Sequence, residues 1–525
     1  MEFDLLVRVP GRTRIKQTLA TFLYLVFLTS SVGLWGLTEK PNIILLIADD
    51  QGWGDVGYHG SEISTPNIDQ LAKEGLEMNR WYSYPWCGPT RTALLTGHIA
   101  GRHGSFFGGA NLTHDEPLLN EALQDAGYMT MTAGKWHLGH NTQADFPINR
   151  GFDHTYGSLG AGVDYYTHAS GEVRDWARDG ETVFENGYMT DLFGNEISRL
   201  IRERDPSKPF FTYAAFTAPH TPLQAPQEYI DKYAHIEDES RRIYCAMVEV
   251  LDVAIGNILQ TVDDEGIRDN TLVLYFSDNG GNVRAGGASN GELRDGKSSL
   301  YEGGTRLPAI FRWPGKIPAG VKSEQPMVVH DLFPTLLDAL SLKPNLNTPF
   351  DGESLWDVLQ TGKTRPRKAD LVITAPYGYS VHAGDFKLIH TNLNKSQAEL
   401  EESIELFKIY EDPNEKINVA GDYPDVVNQM ISNTNYVTPW IYESGMPTRG
   451  RFAGGGPAGR GRAGGPNAAG PRAQNAQGGA GGGPRGGGRG GAGPGPRRGA
   501  AADPVPVARD SDGNIIHLHE SVAGD

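Results

Sequence analysis

Four apolar runs along the chain share one kind of ending. Residues 42–48 read Asn-Ile-Ile-Leu-Leu-Ile-Ala and stop at Asp49-Asp50. Residues 127–132 lead into Gly134-Lys135-Trp136-His137, and residues 210–216 into Ala218-Pro219-His220. Residues 271–276 lead into Ser277-Asp278-Asn279-Gly280-Gly281. A short run that is apolar at every position, rather than at alternate ones, predicts a strand covered on both faces, as in a parallel sheet. Helical periodicity lies between the runs, over 65–77 and 241–261. Cys245 falls on the apolar face of the second pattern with Met247 and Leu251, which predicts a packed side chain. Alternating strands and helices predict an α/β fold, with a mostly parallel sheet and helices on both faces. In such sheets ligands bind beyond the carboxyl ends of the strands, and here all four ends carry ionisable residues.

The pattern changes after about residue 366. Short β-rich runs at 371–374 and 386–390, followed by residues 406–415, predict a small antiparallel sheet with a helix over 367–445. Residues 446–502 are glycine, arginine, proline and alanine with almost no large apolar side chain. Such a segment cannot bury a core and is expected to be disordered. The segment 503–525 carries no assignable pattern. At the other end Arg8, Arg12, Arg14 and Lys16 precede an apolar run over 19–37. This reads as a secretory signal, with Ser31-Val32-Gly33 as a small-x-small cleavage site. An uncleaved N-terminal membrane anchor is the alternative, since the run is nearly long enough to span a bilayer. Either reading of 1–37 places the body, with its main domain over 40–366, outside the cytoplasm.

Charge narrows the partners. The formal net charge is −17, yet residues 449–498 hold nine arginines and no acid, so the body is nine units more acidic than the whole. An acidic body is a poor non-specific partner for nucleic acid, and none is expected. An anionic ligand would need a local basic pocket. Two cysteines exclude a disulfide framework.

One of them, Cys87, opens Cys87-Gly88-Pro89-Thr90-Arg91, followed by the small apolar run Thr92-Ala93-Leu94-Leu95-Thr96-Gly97. This reads as a helix start, with Pro89 near the first helical positions. A reactive group there faces free backbone N–H groups and the positive end of the helix dipole, which suits an anionic substrate. Asp49, Asp50, Asp278 and Asn279 offer hard oxygen ligands without histidine or thiolate, which suits Ca²⁺ or Mg²⁺ rather than zinc. Asp278-Asn279-Gly280-Gly281 alone also reads as a turn. Lys135 and His137 are two apart, so an extended segment would put both on one face.

The Cys-x-Pro-Ser/Thr-Arg pattern with its trailing Leu-Thr-Gly resembles the signature of type I sulfatases, and Gly134-Lys135-Trp136-His137-Leu138-Gly139 resembles their second hallmark stretch. The likeness runs from about residue 40 to about 440 and fills ten polar positions with the expected types. It includes Asp412-Pro413-Asn414-Glu415 and Asn418 of the C-terminal subdomain. Gly88 and Thr90 depart from the commonest pattern but leave the Cys, Pro and Arg in place. The resemblance implies an alkaline-phosphatase-like sandwich with a smaller C-terminal α+β subdomain. It implies oxidation of Cys87 to formylglycine by a formylglycine-generating enzyme, an aldehyde whose hydrate is the nucleophile. It implies a metal, calcium in the family, at Asp49, Asp50, Asp278, Asn279 and residue 87. It makes Cys87, Arg91, Lys135, His137, His220 and Lys297 the catalytic set, with Lys135, His220 and Lys297 touching the sulfate. The implied substrate is a sulfated carbohydrate or an aryl sulfate. Within the family, Gly151-Phe152-Asp153-His154 and Val163-Asp164-Tyr165-Tyr166-Thr167-His168 look closest to arylsulfatase B, the N-acetylgalactosamine-4-sulfatases. Asp164, Tyr165, Tyr166 and His168 are then candidates for the leaving-group pocket. A phosphonate or phosphodiester hydrolase of the same superfamily, and a vestigial polyanion-binding protein, are the other readings.

Overall fold

The computed structural model describes residues 40–443, apart from 108–111, 113, 115–116, 141, 285, 345 and 394–400. The expected signal or anchor (1–37), the arginine-rich tail (446–502) and the 503–525 segment lie outside the described residues.

In chain order the main elements are β1 (Asn42–Ala48), α1 (Pro66–Glu74), β2 (Leu76–Met78), α2 (Cys87–Thr96), β3 (Met129–Lys135) and β4 (His154–Ser158). They continue as α3 (Met189–Glu203), β5 (Phe210–Ala215), α4 (Glu239–Asp264), β6 (Thr271–Ser277), β7 (Ala309–Arg312) and β8 (Val321–Ser323). The spatial order in the large sheet is β8-β2-β7-β6-β1-β5-β3-β4, extended by the short strands Ala177–Arg178 and Glu181–Thr182 to ten strands. The run β6-β1-β5-β3-β4 is parallel throughout. Its register aligns Ala48 with Ser277, and both Ile47 and Gly134 with Ala215. The chain therefore leaves four adjacent strands at one edge, carrying Asp49, Asp278, Lys135 and the segment that ends in His220.

Burial explains the uninterrupted apolar runs. Ile43, Leu45 and Ile47 face a core with Leu94 and Leu95 of α2. Ile44, Leu46 and Ala48 face a second core with Phe193 and Ile197 of α3 and Met247 and Leu251 of α4. The side chains still alternate, but both faces are dry, so no polar position appears. Cys245 is fully buried in the second core, as its spacing predicts.

Three element boundaries differ from the pattern. The helix predicted over 65–77 ends at Glu74, and residues 76–78 form β2, with Leu76 and Met78 turned into the core. The helix predicted over 241–261 begins earlier, where the Asp238 carboxylate accepts the Arg241 N–H at 2.6 Å as an N-cap. The strand predicted over 127–132 runs on to Lys135. The expected small antiparallel sheet is β9 (Leu371–Ala375), β10 (Gly378–Ala383), β11 (Phe386–Thr391) and β12 (Ser403–Lys408) in simple sequential order. The helix α5 (Pro424–Thr434) covers it through Val427 and Met430 against Val381, Leu388 and Leu406.

Leu46 lies wholly inside β1, between α3 and α4. Leu46→Ala should lower the unfolding free energy by about 2–5 kcal/mol, read from the urea midpoint with an unchanged slope. A loss under about 1 kcal/mol would contradict the burial described.

Candidate active site

Cys87 is the first residue of α2, after an extended N-cap at Trp86. Its Sγ lies 3.3 Å from both Lys135 Nζ and His137 Nδ1. Lys135 ends β3 inside the sheet. His137 is not extended: it occupies the left-handed region at φ 59°, with its N–H donated to the Leu159 carbonyl at 3.0 Å. The two side chains do converge on one point, but not through the strand alternation expected of them. A backbone reversal after Trp136 turns the imidazole back toward Cys87.

Below Cys87 lie the acids. Asp49, Asp50, Asp278 and Asn279 are all buried, and Asp50 is also left-handed at φ 67°. The fully buried Arg91 guanidinium, one turn along α2, donates to Asp278 Oδ2 at 2.9 Å, to Asp49 Oδ2 at 3.4 Å and to the Lys135 carbonyl at 2.8 Å. The Lys135 ammonium reaches Asp49 Oδ2 at 2.5 Å, and Lys297 reaches Asp50 Oδ1 at 2.6 Å. Asn279 Nδ2 donates to the same Asp50 oxygen at 2.7 Å. His220 donates Nδ1–H to the Thr221 carbonyl at 2.6 Å, which leaves Nε2 facing Asp50 Oδ2 at 3.7 Å. All ten polar positions singled out in the sequence meet in this one site.

Burial sets the protonation of these groups. It would push the Asp49 carboxyl up, but Lys135, His220, Arg91 and Lys297 overcome it and hold Asp49 well below the usual range. Burial and the adjacent Asp49 charge push Asp278 up to about 7, against the pull of Arg91 and Lys135. Burial, then Lys135 and Arg91, hold the His137 imidazole well below its usual value. Burial raises the Cys87 thiol despite Lys135 beside it. Carboxylates this close share a proton unless a cation joins them.

The residues present fit such a cation. Asp49 Oδ1, Asp50 Oδ2 and Asn279 Oδ1 are buried oxygens with no hydrogen-bond partner, which is costly unless something else satisfies them. Ligand atoms of Asp49, Cys87 and Asp278 lie within 4.8 Å of one another, as do those of Asp49, Asp50 and His220. The oxygen-rich set suits a hard divalent ion.

Two expected substrate contacts have other partners in this structure. His168 is fully buried, stacked on Trp176 at 4.3 Å, with Nε2 3.2 Å from the Gly187 carbonyl. Burial pushes its imidazole down to about 4. It is a core side chain, which corrects its assignment to the leaving-group pocket. Asp164 spends its carboxylate on its own loop, accepting from the Tyr166 and Thr167 N–H groups and from Gln224 Nε2. Neighbouring Tyr165 donates its hydroxyl to the His220 carbonyl at 2.9 Å, so this loop buttresses His220.

Several residues shape the site through contacts that the sequence did not convey. Thr90, noted as a departure, donates its hydroxyl to the Asp278 carbonyl at 2.6 Å and accepts the Tyr84 N–H at 3.1 Å. The Tyr244 hydroxyl lies 2.9 Å from Asp55 Oδ2 and 3.2 Å from the Asp50 carbonyl, bracing the left-handed turn at Asp50. Gly280 is held by close approach rather than by a turn: a Cβ there would lie 1.9 Å from the Gly303 carbonyl oxygen.

A protein-family model described as Sulfatase matches residues 41–342. The chain belongs to the sulfatase family. It is an enzyme, and its reaction is the hydrolysis of sulfate esters. Arylsulfatase J of Mus musculus is 32% identical over 451 residues, covering 75% of this chain and 75% of that one. The N-acetylgalactosamine-6-sulfatase of Homo sapiens is 34% identical over 382 residues, covering 66% and 72%. The crystal structure of Ps i-CgsB in complex with k-i-k-neocarrahexaose superimposes with a TM-score of 0.71 at 30% identity, covering 79% of this sulfatase and 96% of that chain. Neither relative bears the name of a 4-sulfatase, so the expected closeness to arylsulfatase B is not confirmed. The large mixed sheet with its small C-terminal sheet is the alkaline-phosphatase-like fold of these sulfatases.

Metal-free sulfatase should be stabilised by Ca²⁺ or Mg²⁺ through mass action, by about 2.7 kcal/mol at a hundred times the dissociation constant. The readout is the melting temperature before and after chelation. Asp50→Ala should abolish the shift. An unchanged melting temperature with both ions would contradict the site.

Proposed function

We propose that this sulfatase desulfates a sulfated carbohydrate, with Cys87 as the precursor of formylglycine. The observation that carries this reading is the seat of Cys87: the first turn of a ten-residue helix, 3.3 Å from both Lys135 and His137 and directly above the buried carboxylates. A relative named N-acetylgalactosamine-6-sulfatase and a similar structure holding k-i-k-neocarrahexaose support a sugar sulfate as substrate. Export of the body, which the basic front and apolar run of 1–37 would direct, suits such a substrate. Conversion of Cys87 would be the work of a formylglycine-generating enzyme, and the Pro89 and Arg91 it needs are in place.

The oxidised residue supplies the nucleophile, while a divalent ion held by Asp49, Asp50, Asp278 and Asn279, calcium by family resemblance with magnesium as the alternative, supplies positive charge for the sulfuryl oxygens. Lys135 and Lys297 add two fixed positive charges aimed at the same oxygens, in a buried site where they act strongly. Asp278 takes the proton at the attacking oxygen. His220 gives a proton from Nε2 to the departing alcohol, the one ring nitrogen not committed to the Thr221 carbonyl. His137 takes a proton at Nδ1, the atom 3.3 Å from Sγ of residue 87, as sulfate leaves. Arg91 touches no solvent and keeps Asp49 and Asp278 aligned.

Rates on nitrophenyl sulfate, nitrophenyl phosphate and phenylphosphonate, followed by defined sulfated oligosaccharides, test this reading. Sulfate turnover should dominate, and Cys87→Ala should fold but lose about a thousandfold or more, since the nucleophile works as a unit with its partners. Faster turnover of phosphonate would point to the phosphonate hydrolase branch. No turnover of any ester by protein carrying the aldehyde would point to a vestigial site.

A further inference from the structure

Lys297 sits in a backbone that an unsupported loop would not keep. Asp295 (φ 63°) and Ser298 (φ 72°), on either side of it, both occupy the left-handed region without being glycine. Such strain persists only where the surroundings over-determine it. Part of the support is local to the large domain, where the Ser298 N–H donates to the Pro85 carbonyl at 2.8 Å and the Lys297 N–H to the Gly281 carbonyl at 3.1 Å, and part comes from the C-terminal sheet and the turn that follows it. Tyr377, between β9 and β10, donates its hydroxyl to the Ser298 carbonyl at 2.9 Å. Arg294 donates to the Glu415 carbonyl at 2.8 Å, and its own carbonyl accepts the Gly303 N–H at 2.9 Å. Glu415 turns its carboxylate inward and accepts the Glu302 N–H at 2.6 Å. Lys387 of β11 bridges the two acids, 2.9 Å from Glu302 and 2.8 Å from Glu415. All three side chains are buried. The turn beginning at Glu302 also backs the metal side of the site: the Gly280 N–H, next to Asn279, donates to the Gly304 carbonyl at 3.1 Å.

The stretch Asp412-Pro413-Asn414-Glu415 is shaped to deliver that carboxylate. Asp412 accepts the Ile417 N–H at 2.8 Å, Glu415 itself is left-handed at φ 53°, and Asn418 ties the turn to β12 by accepting the Leu406 N–H at 3.0 Å. A buried Glu–Lys–Glu array is weak as a stabiliser, because desolvation offsets most of the attraction. Its worth lies in geometry.

We propose that Glu415 is a positioning residue of the sulfatase reaction: through Lys387 and the Glu302 N–H it clamps the 294–304 segment, and so sets Lys297 against the sulfate. This rests on reading Lys297 as a sulfate-binding cation, and Lys297→Ala tests that reading separately. In the full-length, metal-loaded enzyme, Glu415→Ala should lower kcat/KM on nitrophenyl sulfate by up to about a hundredfold. Glu415→Gln keeps an acceptor for the Glu302 N–H and should recover most of it. In a Lys297→Ala background Glu415→Ala should cost little more, since the two act as one unit. Val381→Ala, in the core of the C-terminal sheet, should lower the melting temperature yet leave kcat/KM alone. Should Glu415→Ala fail to fold, Tyr377→Phe, which loses the bond to Ser298, enters the same cycle with Lys297→Ala. Wild-type kcat/KM in Glu415→Ala, a full multiplicative loss in the Lys297→Ala background, or an equal loss in Val381→Ala would overturn the clamp. Wild-type turnover in Lys297→Ala would instead remove the reading beneath it.

Discussion

The parallel register of β1 and β6 forces Asp49, Asp50 and Asp278 into one buried space, and the rest of the site is organised around that fact. Two like charges 4 Å apart repel by about 4 kcal/mol at an effective dielectric of 20. The answer is a set of cations drawn from separate elements. Arg91 comes from α2, Lys135 from the end of β3 and Lys297 from the segment before Glu302. Each is fixed by the acid it neutralises, so neutralising the acids also aligns the groups around Cys87. Oxygens left without partners on Asp49, Asp50 and Asn279 leave room for one more positive charge.

Much of this was legible in the sequence, for definite reasons. β1, β5 and β6 announce themselves because both faces of the sheet are dry, and the polar residues that end each run mark the catalytic edge. The Cys87 motif is legible because its helix start, its proline and its arginine are local. What local pattern could not supply is backbone reversal and long-range packing. Lys135 and His137 meet at Cys87, but a two-residue period has no knowledge of a left-handed residue at 137. His168 stands in a run of polar and aromatic residues, and only its packing on the Trp176 ring and its contact with the Gly187 carbonyl make it core. Tyr244 and Asp55 brace the Asp50 turn across nearly two hundred residues of chain, which no motif conveys. The Glu415 stretch was visible as a pattern, yet its partners Lys387 and Glu302 lie on other elements.

The two sheets of this sulfatase therefore divide the work. The large sheet fixes the acids and the helix that carries Cys87. The small sheet braces the segment that brings Lys297 across to them. Hydrogen bonds and an ion pair of 2.6–2.9 Å tie the 294–304 segment to the C-terminal meander and its following turn at Glu302, Arg294 and Ser298, and Tyr377 of the meander also packs edge-on against Trp86, beside Cys87.

All of the chemistry assigned here turns on what residue 87 is in the working enzyme. The most direct measurement is the mass of the peptide containing Trp86-Cys87-Gly88, taken from a preparation of known specific activity. The expected mass shows one sulfur and two hydrogens exchanged for one oxygen, in a fraction that rises and falls with activity. Full activity in protein whose residue 87 is unmodified cysteine would contradict the mechanism.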